Sequence, residues 1–166
     1  MATVQNQSGM TINLVNAVFS AGTTSTYVTT TTTAGLINGK FITVLTAQNN
    51  TATPTTDATT GAAFLALSPN QTCTLVLGTN AAGVIKMSQG PIISTITGVT
   101  TTVGALLNDP QFPTLPDDFC PMAYTIVRTA PSAAAWTPGT SSWTASGISA
   151  STFQNIGTLP NRPQSS

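Results

Sequence analysis

Short runs of β-branched and apolar residues, separated by glycine, proline and asparagine, recur along this 166-residue chain. Threonine, valine and isoleucine suit the pleated surface of a strand and lose side-chain freedom in a helix. The runs recur at roughly 8–12-residue spacing, which is typical of a β-sandwich or barrel. No stretch combines a helical period with capped ends. The sequence therefore predicts an all-β fold: a single-domain β-sandwich or barrel with short strands, a proline-rich crossover and extended terminal segments.

Alternation of apolar and polar residues places the individual strands. A half-buried strand is expected within Thr3–Phe19, where Ile12, Leu14 and Val18 have even spacing. The other expected strands are Tyr27–Thr33, Phe41–Thr46, Thr72–Leu77, Val84–Met87, Pro91–Thr97, Met122–Thr129, Trp143–Ile148 and Thr152–Leu159. In Thr72–Leu77 this pattern puts Cys73, Leu75 and Leu77 on one face.

Turn residues separate these strands. Ala21-Gly22, Asn38-Gly39 and Asn80–Gly83 are expected to reverse the chain, and Asn-Gly is a strong hairpin signal. The segment Asn49–Gly61 is expected to be a polar loop without core residues. Ala62–Leu67 is compatible with either a helical turn or a strand.

Charge is scarce in this chain, at 5% of residues against roughly 25% in ordinary soluble domains. Lys40, Lys86, Arg128 and Arg162 are scattered, whereas nucleic-acid binding depends on clustered cations at phosphates, so no nucleic-acid partner is expected. A basic helix for a membrane surface is missing for the same reason. Low net charge leaves little repulsion between copies and favours association with a large partner surface.

The chain ends and cysteines bear on location and redox state. The first ten residues, MATVQNQSGM, have neither a basic nor an apolar region, and no apolar run reaches the roughly 18–20 residues of a membrane span, so synthesis in a cytosol and no membrane contact are expected. One domain over residues 1–166 is expected, with 1–10 and 160–166 as extended arms. Cys73 and Cys120 are expected to be buried free thiols, and a disulfide between adjoining strands is the alternative.

The stretch Asp109–Trp136 concentrates unusual residues: five of the eleven prolines, three of the four aspartates and one cysteine. Prolines at positions 110, 113, 116 and 121 fix an extended course with few free backbone donors. This composition favours a stiff crossover between sheet regions that leads into Met122–Thr129, or a rigid arm laid over a neighbour.

Residues for catalysis are few. The chain has no histidine and no glutamate, which removes the commonest general base and metal ligand. Asp117 and Asp118 are the candidates for the pair of carboxylates that glycoside hydrolases use. Asp109-Pro110 and Pro116-Asp117 are better explained as turn formers, because an aspartate side chain bonds the backbone two residues on. We therefore expect no enzyme activity, no catalytic residue, no metal site and no cofactor; calcium at Asp109, Asp117 and Asp118 is the remaining alternative.

Large apolar side chains cluster in and after the proline-rich stretch. They are either core residues or subunit and capsid contacts, since aromatic residues are enriched at interfaces. The candidates are Phe112, Leu115, Phe119, Tyr124, Trp136 and Trp143. The two tryptophans have a further alternative, as exposed platforms for sugar rings.

Three segments in the final third of the chain, LPDDFCPMAYTIVRTA, WTPGTSSWTASGI and TLPNRPQ, resemble small structural proteins of tailed bacteriophages. Within that class the size and the all-β pattern are most similar to capsid decoration (cement) proteins. The resemblance implies a non-enzymatic virion structural protein that decorates and stabilises the outer capsid surface by bridging capsid subunits. Its implied partners are the major capsid protein and copies of itself, as a trimer, and it would be made in the host cytoplasm. The alternative is a receptor- or glycan-binding module of a tail or head fibre.

Overall fold

The computed structural model describes residues 9–150 and 152–163, and within them the chain forms strands and no helix. In chain order the strands are β1 (Ile12–Asn13), β2 (Phe19–Ala21), β3 (Thr26–Thr29), β4 (Gly35–Ile37), β5 (Lys40–Phe41), β6 (Thr51–Ala52), β7 (Gln71–Asn80), β8 (Ile85–Gln89), β9 (Ile93–Ser94), β10 (Phe119–Thr129), β11 (Ile148–Ala150) and β12 (Gln154–Asn155). They form sheets of three, six and three strands, none of which closes into a barrel. The all-β prediction is confirmed, and the barrel alternative is not observed.

The long strands β7 and β10 are the centre of the six-stranded sheet. They pair antiparallel, from Thr72 opposite Arg128 to Asn80 opposite Phe119. β11 and β12 pair with the other side of β10, and β8 and β9 pair with the other side of β7. Nearly every residue of the two central strands is buried, because both faces of this sheet are covered.

One face of the sheet carries the main core. Cys73, Leu75 and Leu77 lie together on this face of β7, as predicted, and their cluster includes residues from the two three-stranded sheets, β1–β4–β5 and β2–β3–β6. The cluster consists of Ala17, Phe19, Tyr27, Ile37, Ile42, Phe64, Leu67, Cys73, Leu75, Leu77, Ile85, Met87, Cys120, Met122, Ala123, Val127, Trp136, Trp143 and Phe153. Side chains of both small sheets thus share one core with the six-stranded sheet.

The proline-rich segment covers the opposite face. β9 lies on the β8 side of β7 while β10 lies on the other side, so the chain between them must cross the sheet. Phe112 and Leu115 of this segment pack against a second, smaller cluster formed by Val76, Phe119 and Tyr124. The predicted crossover is therefore observed, and its two apolar side chains fix it to the sheet.

A bulge in β10 explains why that strand begins earlier than predicted. Pro121 lies opposite Gly78 and Ala123 lies opposite Leu77, so Met122 is an extra residue without a partner on β7. The extra residue lets Met122 and Ala123 both join the main core while Phe119 and Tyr124 both face the other side. The strand thus extends through Pro121 to Phe119, three residues before the predicted Met122.

Two predicted hairpin turns are confirmed. Asn38 and Gly39 have φ angles of +51° and +76° and join β4 to β5, which is the left-handed pair that a tight hairpin requires. The turn Asn80–Gly83 joins β7 to β8, and the side-chain oxygen of Asn80 accepts a hydrogen bond from the Val84 N–H at 3.0 Å.

The strand expected within Thr3–Phe19 is wrong for most of its length. Its first six residues lie outside the described part, and of the rest only Ile12–Asn13 and Phe19 belong to strands. The side-chain oxygens of Asn13 and Asn16 accept the N–H groups of Val15 and Val18, at 3.2 and 3.3 Å. These local bonds replace strand pairing, and Val18 takes a φ of +45°.

Other predictions need shorter bounds. Trp143–Ile148 is a turn region in which only Ile148 enters a strand, because the Ile148 N–H bonds back to Ala145 at 3.1 Å and Gly147 has a φ of +75°. The segment Asn49–Gly61 is not free of buried residues, since it contains β6 and the buried Thr53. The strands predicted at Tyr27–Thr33, Phe41–Thr46, Pro91–Thr97 and Thr152–Leu159 shorten to β3, the second residue of β5, β9 and β12, where neighbouring backbone is available to pair.

The described parts of the two predicted arms lie against the domain. The Met10 carbonyl accepts a hydrogen bond from the Gly39 N–H at 3.1 Å. Arg162 pairs with Asp109 of the crossover at 3.1 Å, with both side chains well exposed. An exposed pair of this kind contributes about 0–1 kcal/mol. The remaining arm residues, 1–8 and 164–166, lie outside the described residues.

Candidate functional site

The carboxylate of Asp57 is fully engaged in holding the fold together. One oxygen accepts the N–H groups of Thr59 and Thr60, both at 2.9 Å, and the other accepts the N–H of Gln89 at 2.8 Å. The next residue, Ala58, donates its N–H to the Met87 carbonyl at 2.8 Å. Asp57 and Ala58 thus cover the outer edge of β8, and this carboxylate has a structural role.

The other aspartates lie on the surface. Asp117 and Asp118 occupy the turn that the Phe119 N–H closes on the Pro116 carbonyl at 3.2 Å, so a turn at Pro116-Asp117 is confirmed, and it is closed by a backbone hydrogen bond. Asp109 is the exposed partner of Arg162. Over the described residues, no three histidine, cysteine or acidic side chains come together in a group that would hold a metal ion.

Both cysteines are buried and free, as predicted. Burial raises the pKa of the Cys73 thiol from 9.0 to about 12, against a smaller lowering by the side chain of Gln89. The pKa of Cys120 rises to about 11 for the same main reason. Because the thiolate is the reactive form of cysteine, neither side chain is suited to nucleophilic chemistry near neutral pH.

These pKa values predict that stability falls in alkali. The pKa of the Tyr27 hydroxyl is also raised by burial, from 10.0 to about 12. In each case the folded pKa exceeds the unfolded one, so stability is intact below the unfolded pKa values and is lost as the pH rises from about 9 towards 12. We expect urea unfolding to give a smaller free energy at a pH of about 10.5 than at about 8. The variant Cys73→Ala/Cys120→Ala should show a shallower decline, and an identical decline would contradict the assignment to the thiols.

Trp136 and Trp143 are core residues of the folded chain. Their relative exposures are 1% and 4%, and their rings pack 5.3 Å apart. The Trp136 indole N–H donates to the Ser142 carbonyl at 2.8 Å, and that of Trp143 donates to the Thr26 carbonyl at 3.0 Å. Both the apolar ring and the polar N–H are thus satisfied inside the chain. Neither indole is exposed as a platform for a sugar ring.

The other four predicted contact residues come together on the crossover side of the sheet. Phe119 and Tyr124 are buried, at 4% and 2% exposure, so their side chains are part of the core. Phe112 lies edge-on to the Tyr124 ring, with centroids 5.0 Å apart. Phe112 and Leu115 are partly buried and retain some surface. Their contact with another subunit stays a prediction.

Phe112 also lines a groove of about 860 Å³ between the crossover and the loop after Asp57. Its apolar lining comes from Leu65, Pro91, Ile92, Phe112 and Pro113, and Asp57 is its one charged residue. Leu65 is 68% exposed. We call this feature the crossover groove.

Leu65 is held at the rim by an unusual contact. The side-chain amide of Gln89 accepts the Leu65 N–H and donates to the Leu65 carbonyl, both at 2.9 Å. The side-chain amide of Gln89 therefore pairs with the backbone of Leu65 as the backbone of a neighbouring strand would. The leucine side chain remains on the surface. No local pattern in the sequence indicates this role for Leu65, because the pairing depends on a glutamine 24 positions away.

Exposed apolar side chains occur elsewhere on the surface too. They are Met10, Leu14, Val18, Phe41, Val44, Val84, Ile96, Val99 and Leu107. The crossover groove differs from single exposed residues because several apolar side chains and a fixed backbone converge there. Large exposed apolar patches on soluble proteins commonly mark interaction sites.

Comparison with protein-family models, with curated proteins and with solved structures found no match to this chain. A search of the described residues for a helix of the length and apolarity needed to cross a membrane found none.

Proposed function

We propose that this chain is a non-enzymatic structural protein of a bacteriophage virion that decorates the outer capsid surface and stabilises it by bridging capsid subunits. The proposal combines the resemblance of the final third of the sequence to small phage structural proteins with the surface of the fold. Its partners are the major capsid protein and copies of this chain.

The observation that carries the proposal is the crossover groove. Leu65 is exposed at its rim, Phe112 and Ile92 line it, and the rigid crossover forms one wall. Covering such a surface removes apolar area from water. Each Å² of apolar surface buried contributes about 25 cal/mol to the free energy of binding. With only eight charged residues in the chain, little electrostatic work opposes close approach to an uncharged face of a capsid protein. A stoichiometric contact of this kind requires no catalytic group.

The glycan-binding alternative rested on exposed tryptophans. Both indoles are buried and hydrogen-bonded to backbone carbonyls. No specific observation therefore favours this alternative.

Capsids purified without this protein provide the test. Adding back the purified chain is expected to restore their resistance to heat and chelators, with a saturating number of copies bound per capsid. The variant Leu65→Asp should bind more weakly, because it places a charge at the rim of the crossover groove.

Val99→Asp is the matched control, since Val99 is 76% exposed and does not line the groove; it should bind as the unmodified chain does. Capsids that keep full resistance without the protein would overturn the proposed function. Equal binding by the Leu65→Asp and Val99→Asp variants would show that the crossover groove is not the capsid-binding surface.

A further inference from the structure

A second cleft, of about 500 Å³, lies between the edge strands β2 and β11. We call it the edge cleft. β2 is the outer strand of the sheet β2–β3–β6, and β11 is the outer strand of the six-stranded sheet. Phe19, Trp143 and Phe153 contribute its buried apolar lining, at 2%, 4% and 6% exposure. The cleft therefore joins an apolar floor to two strand edges.

The backbone N–H and C=O groups of Ala21, on β2, face away from the neighbouring strand β3. The Gly22 N–H bonds to the Thr26 carbonyl at 2.8 Å, and Ala21 is the next residue in the same antiparallel register, opposite Tyr27. Inward and outward groups alternate along such a pair, so the N–H and C=O of Ala21 point away from β3. The backbone N–H of Phe19, two residues earlier, also faces away from β3, and it donates to the side-chain oxygen of Asn155 at 2.7 Å.

The same argument applies to Ala150 on β11. The Ala130 N–H bonds to the Gly147 carbonyl at 2.8 Å, in register with the pairing of Val127 opposite Ala150. Ala150, three residues from Gly147, therefore directs its N–H and C=O away from β10. Within the described residues, neither Ala21 nor Ala150 has a partner for these outward groups. Asn155 of β12 ties β2 to the six-stranded sheet, and Ala21 and Ala150 both line the cleft.

The far edge of the six-stranded sheet makes a contrast. There Asp57 and Ala58 bond to Gln89 and Met87, so that edge is covered. Proteins usually cover or disrupt exposed strand edges because such edges recruit other strands. An uncovered pair of edges above an apolar floor is the arrangement that accepts an added strand.

We infer that the edge cleft accepts a strand from a second copy of this chain, supplied by the eight residues that precede Gly9. The described residues that line the cleft are uncharged, and the sequence of residues 1–8, MATVQNQS, has no charged side chain and no proline. Each residue of the segment can therefore offer a backbone donor and acceptor, and Ala2 and Val4 share one side of an extended chain.

The length of residues 1–8 is sufficient for this contact. The three residues of β2 require about 10 Å of added strand, and eight extended residues span about 26 Å. The surplus can bridge from Gly9 to a neighbouring molecule.

The inference specifies the self-association that the proposed function includes, and its test needs only the purified chain. Sedimentation of the full chain is expected to show a concentration-dependent oligomer. Removal of residues 1–8 should give a monomer, and the synthetic peptide MATVQNQS, added in excess, should dissociate the full-length oligomer. Ala21→Pro and Ala150→Pro should each raise the dissociation constant about tenfold or more, because proline removes an outward N–H that the fold does not use.

Ala52→Pro is the matched control. Ala52 lies on β6, the opposite edge of the same small sheet, and the bond from the Thr53 N–H to the Ser25 carbonyl shows that its own N–H also points outward. It should associate as the unmodified chain does. A full-length chain that stays monomeric, an oligomer that survives removal of residues 1–8, or equal effects of all three prolines would overturn the inference. Far-UV circular dichroism checks that each variant folds. If a proline variant does not fold, sedimentation of the chain without residues 1–8 tests the inference instead. A failure here leaves capsid binding untouched, since that test counts copies on particles.

Discussion

Replacing Trp136 by alanine is expected to lower the free energy of unfolding by about 3–5 kcal/mol. Trp136 is 1% exposed, packs against Trp143 and bonds through its backbone to Leu67 at 2.8 and 3.0 Å. The truncation leaves a cavity between the turn region and the main core. It also removes the indole donor of the Ser142 carbonyl. Urea unfolding followed by far-UV circular dichroism measures the loss.

Phe41→Ala is the control for this prediction, because Phe41 is an aromatic residue that is 79% exposed. Its expected effect is within about 0.5 kcal/mol. Trp136→Phe should fall between the two, since it keeps an aromatic ring and loses the N–H. A cost for Trp136→Ala as small as that of Phe41→Ala would show that Trp136 is not part of the core.

Gly78→Ala is expected to cost about 1–3 kcal/mol or more, as overpacking of a core does. Gly78 lies on β7 opposite Pro121, next to the bulge at Met122. A Cβ there would press on the Cys120 carbonyl oxygen and lie 2.8 Å from the Phe119 ring. Because the carbonyl belongs to the paired strand, relief requires β7 and β10 to separate. The measurement is again equilibrium unfolding in urea.

The matched substitution is Gly157→Ala, where the nearest atom to the new Cβ would be 3.8 Å away. That change should be neutral or slightly stabilising, since alanine restricts the unfolded chain more than glycine does. If Gly78→Ala were equally harmless, the close approach of β7 and β10 at the bulge would be wrong.

Local signals in the sequence were sufficient for the fold class and for the turns they encode. Asn38-Gly39 makes its hairpin because both residues adopt positive φ, and the alternation around Leu75 reflects the face on which it packs. The proline run predicted the crossover because proline removes backbone donors and keeps the chain extended. Each of these signals acts over a few residues.

The predictions failed where side chains compete for the backbone or act over long distances. The side chains of Asn13 and Asn16 accept hydrogen bonds from backbone N–H groups two residues further along the chain. These bonds end the apparent alternation near Val18. The aromatic residues of the final third looked like contact residues, but burial of Trp136, Trp143, Phe119 and Tyr124 depends on which elements pack together. Composition alone does not distinguish a core aromatic from an interface aromatic.

Two surfaces were not predicted because they form only in three dimensions. The crossover groove needs Gln89 to hold Leu65, and the edge cleft needs two sheets to end side by side. The sequence carries no local record of either arrangement.

The proposed function makes this chain a stoichiometric component of the capsid surface. Its most direct test is to locate and count the protein in purified virus particles, by quantitative mass spectrometry and by labelled antibody in the electron microscope. We expect hundreds of copies distributed over the outside of the head. A few copies confined to the tail or its fibres, or no copies in the particle, would contradict it.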